Sequence, residues 1–143
     1  MPFTLAPGKD ADGELEIKAS RFLTSVRRIE SMDEATAFIA ERRALFPDAR
    51  HHCSAAVVGD DPGQRSERSS DDGEPGGTAG IPMLQVLHHR DVVNVVAVVT
   101  RWFGGVKLGA GGLVRAYSGA LSTTLDAATL VSRRRRHEFT LGV

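Results

Sequence analysis

The sequence has a single cysteine, Cys53, among its 143 residues. One thiol closes no internal disulfide, and a secreted scaffold of this size usually carries several. That shortage speaks against a disulfide-stapled extracellular fold. No apolar run approaches the ~18 residues of a membrane span. The opening stretch MPFTLAPGKDADGE lacks a basic region followed by an apolar core, so it does not read as a signal peptide. A reducing cytoplasm, with no membrane partner, is the location these absences imply. An excess of either charge is missing too. Lys plus Arg and Asp plus Glu each number 18, and the formal net charge is zero. Bulk charge therefore does not mark a nucleic-acid binder, and any attraction for phosphate has to come from a local patch. There is no internal repeat.

What is present is an ordinary globular composition, 41% hydrophobic and 25% charged, in a chain long enough for one compact domain. Residues 1–13 concentrate Pro, Gly and Asp and read as a flexible leader. Residues 14–29, ELEIKASRFLTSVRRI, suggest two antiparallel strands with a break near Ala19–Ser20. Ser31 and Glu34 have the spacing of a capping box, and apolar residues recur at helical spacing up to Pro47. A helix is expected from Met32 to about Leu45. His51 to Val58 reads as a strand. GDDPGQRSERSSDDGEPGGTAG, residues 59–80, is poor in apolar residues and rich in turn formers, so a long loop is expected. A short helix follows from Ile81 to about His89, with Pro82 in its first turn. VVNVVAVVT, residues 92–100, is nearly all β-branched, as a central strand covered on both faces would be. A glycine-rich connection leads to a second long helix, Leu113 to about Leu130. Arg133 to Arg136 then precede HEFTLGV, whose apolar residues alternate as in a strand.

Three clusters carry chemistry. The first lies in residues 101–117. Gly104, Gly105, Gly109, Gly111 and Gly112 sit between a buried strand and a helix start, where free N–H groups and the positive dipole end attract anions. Arg101, Lys107 and Arg115 place cations around the same loop. Phosphate or carboxylate is the guest this pattern suits, and a tight turn with solvated charges is the alternative. The spacing is neither Walker nor Rossmann, so no cofactor is expected. The second cluster is Asp71, Asp72, Gly73, Glu74, Gly76, Gly77 and Thr78. Its carboxylates suit a hard cation, but they supply no ligand ladder. Capping of the next helix, or pairing with Arg101 or Lys107, is the competing reading, and no metal is expected. The third is His51–His52–Cys53. On a strand, His51 and Cys53 share one face and His52 the other. A buried, structural Cys53 is favoured over a nucleophile. Trp102 and Phe103 have the chemistry to stack on bases, but closure of the core at the strand end is favoured.

Two segments carry a family resemblance. SDDGEPGGTAGIPML from Ser70 and VVTRWFGGVKLGAGGLVRAYS from Val98, with IKASRF and RHHCSAAVV upstream, resemble the YigZ/IMPACT family over residues 14–131. Trp102 stands where the family usually has tyrosine. The resemblance implies an α/β (α+β) two-layer sandwich like the second domain of a small-subunit ribosomal protein. That fold has a four-stranded sheet, two main helices on one face and a left-handed crossover. It also implies that residues 132–143 are either a terminal edge strand or the first strand of a truncated second domain. Eukaryotic relatives regulate translation through a protein partner, and RNA or ribosome binding is suggested for bacterial ones. The expected function is a non-enzymatic binding domain in translation control. The expected surface is Arg101, Gly104, Gly105, Lys107, Gly111, Gly112 and Arg115, joined by the Asp71–Thr78 loop. Two alternatives stand beside it. One is a hydrolase using the acidic loop and Lys107. The other is a protein-interaction domain whose glycines only build the fold.

Overall fold

The computed structural model describes residues 2–133. In chain order the elements are strands β1 (Phe3–Leu5), β2 (Ala11–Ile17) and β3 (Ser20–Arg28), helix α1 (Met32–Leu45), strands β4 (His51–Val58) and β5 (Ser66–Ser70), helix α2 (Gly80–His89), strand β6 (Val95–Trp102), helix α3 (Gly109–Asp126) and strand β7 (Leu130–Ser132). Five strands form one antiparallel sheet in the order β2-β3-β6-β4-β5, and β1 pairs separately with β7.

Local sequence explains the best-defined elements. The Ser31 side chain accepts from the Glu34 N–H at 3.3 Å and starts α1 at Met32. The Glu34 carboxylate reaches back to the Glu30 N–H at 2.6 Å, one residue before the usual partner in a capping box. Ile17 pairs with Ser20, leaving Lys18 and Ala19 as a two-residue hairpin loop. Both have positive φ, +47° and +66°, as the twist of such a hairpin requires.

The sheet buries both faces, so the domain has three layers. Val95, Ala97 and Val99 of β6 face α2 and α3, packing with Phe22, Cys53, Met83, Leu113 and Tyr117. Val96 and Val98 point the other way, against Ala35 and Phe38 of α1. This corrects the two-layer expectation with both main helices on one face. A β-branched strand with apolar residues on both sides needs helices on both sides.

Three further expectations are corrected. The sheet has five strands rather than four, because β5 (SERSS) lies within the stretch expected to be a loop, residues 59–80. It is an edge strand, and polar side chains suit an edge. Residues 1–13, expected as a flexible leader, contain β1 and the start of β2, and Leu5 is fully buried. Helix α3 begins at Gly109, four residues before the expected start, so Gly111 and Gly112 are helical. The expected strand in HEFTLGV and the arginines after Arg133 lie outside the described residues. Arg133 itself pairs with Glu30 and Asp60.

Gly104 marks where the β6–α3 loop crosses the β2–β3 hairpin. A Cβ there would sit 2.0 Å from the Ala19 carbonyl oxygen. Backbone on both sides leaves no cheap relief. Gly104→Ala is expected to destabilise the domain by about 1–3 kcal/mol, the range for overpacked sites. The denaturant midpoint, measured with an unchanged m-value, checks this.

Candidate functional site

A cleft of about 360 Å³ opens where the β6–α3 loop meets the segment between β5 and α2. The two glycine-rich segments singled out from the sequence therefore converge. Their charged residues do different jobs from those expected.

Glu74 forms the floor of the cleft. Its side chain is 3% exposed, and the Arg101 guanidinium donates to both oxygens, at 3.1 and 2.8 Å. The Tyr117 hydroxyl, from α3, donates to the same carboxylate. His51 Nε2, from β4, lies 3.4 Å away. Arg101 is 4% exposed and also donates to Ser20 Oγ at the start of β3. Arg101 was expected to offer its charge to a ligand, but Glu74 already neutralises it. A single guanidinium nitrogen, Nη1, bridges both carboxylate oxygens, and the pair tolerates such burial because both charges are hydrogen-bonded.

Asp71 caps α2. Its carboxylate accepts from the N–H groups of Gly77 (2.9 Å), Ala79 (3.1 Å) and Gly80 (2.8 Å). Burial pushes its carboxyl group up, but these three donors outweigh that and hold it below the ordinary value. The amides of Gly77, Ala79 and Gly80 are thus turned inward and are not offered to a ligand. Asp72 pairs with Arg43 on α1 and accepts from the His52 N–H at 2.7 Å. Burial raises its carboxyl group, and the Arg43 and His52 donors lower it further than burial raises it. Gly73 packs against the His51 ring. Thr78 is buried and donates to the Pro75 carbonyl. A Cβ on Gly76 would meet nothing. Pairing and capping, the competing reading of this acidic loop, is what it does.

On the other wall, Lys107 lines the cleft and Gly105 makes a left-handed turn at φ +91°. Among the described residues no side chain caps α3, whose first residues Gly109 and Ala110 also line the cleft. Arg115 does not join them. Its guanidinium lies over Gly111 and lines a neighbouring hollow with Lys18, Leu108 and Gly112. Phe103 was expected in the core but is 39% exposed at the cleft, and Trp102 packs edge-to-face on Phe46.

Sequence reasoning missed Arg50. It lines the cleft with its guanidinium 5.2 Å from the Phe103 ring centroid. One arginine ahead of a histidine pair has no local pattern that would single it out. Tyr117 was not singled out either, since its hydroxyl role depends on a residue 43 positions away.

Cys53 is fully buried and donates to the Asp71 carbonyl at 3.1 Å. Burial pushes its thiol up to about 12, so it stays protonated. His52 faces the opposite side, 3.2 Å from Thr100 Oγ1, and burial followed by the Arg43 charge lowers it. Among the described residues, no three His, Cys, Asp or Glu side chains come together as a metal site.

Fold and cleft define an α+β domain of the Impact N-terminal type, whose family model matches residues 18–125. The chain belongs to the IMPACT family, as its glycine motifs suggested. YigZ of Escherichia coli (strain K12) is 45% identical over 126 residues, 88% of this chain and 62% of that protein. The chain thus spans less than two thirds of that relative's length. A solved structure described as that of a hypothetical protein superposes with a TM-score of 0.86 at 40% identity, covering 98% of this chain and 72% of the other. The two-domain translational regulator Yih1 superposes at 0.58 with 28% identity, covering 86% of this chain and 48% of that one.

Two outcomes follow. Glu74→Gln leaves the buried Arg101 charge unbalanced and should cost about 3–5 kcal/mol by denaturant unfolding, with Glu74→Leu combined with Arg101→Met costing less than the two changes summed. The lowered carboxyl groups of Asp71 and Asp72 contribute stability that is complete above their unfolded values and is lost as pH falls through the folded ones. His52 acts with the same sign, its decline beginning near 6.5. Thermal midpoints should therefore fall on acidification, and Asp71→Asn should be less stable at neutral pH but decline less steeply below about pH 4.

Proposed function

We propose that this domain is a non-enzymatic binding module in translational regulation, and that the cleft holds an acidic group of its partner. That group is a phosphate of RNA or the ribosome, or a carboxylate of a regulatory protein. One observation carries the reading. The cleft wall presents Arg50 and Lys107, neither of which makes an ion pair among the described residues. The uncapped start of α3 lies beside them. Positive charge left uncompensated in a concave site attracts an anion. Family membership and the likeness to the translational regulator Yih1 supply the context.

The hydrolase alternative loses the acidic residues it relied on, though Lys107 still lines the cleft. Glu74 and Asp71 already engage their oxygens with Arg101, Tyr117 and backbone amides. A catalytic acid or base needs access to a substrate proton, and Glu74 is buried under Arg101.

Co-sedimentation with ribosomes, and capture of partners from lysate before and after nuclease treatment, test the reading. Binding should weaken about tenfold or more as salt rises from about 50 to 200 mM. Combining Arg50→Ala with Lys107→Ala should weaken it comparably. Affinity that ignores both salt and the double variant would show that this cleft is not the binding surface.

A further inference from the structure

We infer that the cleft is built for a carboxylate flanked by an apolar side chain on a partner protein, rather than for a nucleobase. This rests on the proposed function in one respect, that the cleft is the binding surface.

The lining separates into two parts. Pro75, Phe103, Leu108, Ala110 and Leu113 supply apolar surface, while Arg50 and Lys107 supply charge. Glu74 adds no net negative charge, because Arg101 neutralises it on the cleft floor. The cleft is therefore positive and otherwise mainly apolar. At about 360 Å³ it is of small-ligand size and has room for one or two side chains. An apolar side chain next to a carboxylate matches both parts. A strongly hydrated phosphate chain would leave the apolar walls unmatched.

The aromatic ring argues in the same direction. Among the described residues, Phe103 is the only Phe, Tyr or Trp lining the cleft, and it already carries two cations. The guanidinium groups of Arg50 and Arg101 lie 5.2 and 5.5 Å from its centroid. They compete with a base for the ring. Single-strand binders instead present free aromatic faces along a basic track. The ring has a second effect on Arg50. It attracts the guanidinium to the cleft wall, where a carboxylate can be met by two of its N–H groups.

Carboxylates of two sources share this chemistry, an Asp or Glu side chain within the partner and the partner's C-terminus. Nitrogen-15 NMR of the whole chain distinguishes them. The probes are acetyl-Gly-Gly-Leu with a free terminal carboxylate, its C-terminal amide, acetyl-Leu-Asp-Leu-amide, the matching Asn peptide, and pentauridylate. At least one acidic peptide should shift the amides of Phe103, Lys107, Gly109 and Ala110 saturably. Its neutral counterpart should bind about tenfold more weakly, a difference of about 1.4 kcal/mol. Arg50→Gln and Lys107→Gln should each weaken the acidic peptide by a similar factor. Whichever acidic peptide binds identifies the source. Equal binding of acidic and neutral peptides would overturn the carboxylate assignment. Tighter binding of pentauridylate at the same amides would overturn it while leaving the anion-binding cleft intact. No saturable shift with any probe would overturn both.

Discussion

The Glu74–Arg101 pair is the constraint on which the rest of the site depends. A buried carboxylate and a buried guanidinium are tolerable only together, with their remaining hydrogen-bond positions filled. Filling them draws in Tyr117 from α3 and Ser20 from the head of β3, with His51 of β4 close by. Apolar packing alone would let α3 and the β5–α2 segment settle against the sheet in several nearly equivalent ways. One shared acceptor makes most of those arrangements costly, because each would strand a charge. The cleft above Glu74 has a defined floor for this reason, and its two walls stand at a set separation.

The same pair sorts the charges of the chain. Two cations near the cleft are already matched, Arg101 with Glu74 and Arg43 with Asp72. Arg50 and Lys107 are left over. A protein with no net charge can still present a positive site if its acids are committed elsewhere, and here they are held by helix capping and buried pairing. Asp71 turns the start of α2 into a closed end, while α3 begins without a side-chain cap. Of the two helix starts that border glycine-rich segments, only the one facing Lys107 stays open.

Much of this was legible in the sequence, for identifiable reasons. Helix α1 was placed at both ends because Ser31 and Glu34 signal its start and Pro47 limits its end. Strand β4 was legible from its bounded apolar run. The pattern of residues 92–100 already demanded cover on both faces, and the structure agrees. The expectation drawn from family resemblance, of two helices on one face, conflicted with that demand and gave way. Strand β5 escaped notice because an edge strand needs no apolar alternation, and SERSS has none. The start of α3 was hidden by Gly109, Gly111 and Gly112, since glycine resists helix unless tertiary packing compensates. In the site, the two glycine-rich segments were singled out and they do meet, but Arg115 stands outside the cleft and Arg101 is paired internally. Pairing of the acidic loop with Arg101 or Lys107 was one of the readings left open, and the choice between them depended on contacts between residues 27 positions apart.

The strand order has a consequence for how the domain comes together during synthesis. Strand β6 sits at the centre of the sheet, yet its partners on β3 lie some 70 to 80 positions earlier, as with Val26 and Ala97 or Arg21 and Trp102. Until it leaves the ribosome, the strands of the main sheet can pair only as two separate hairpins, β2–β3 and β4–β5, and the edges of β3 and β4 that β6 will fill stay open. Such long-range closure slows folding and prolongs exposure of sticky surface. A single late strand therefore joins two waiting halves, and the polar outer strand β5 shields one of them from misassembly in the interval.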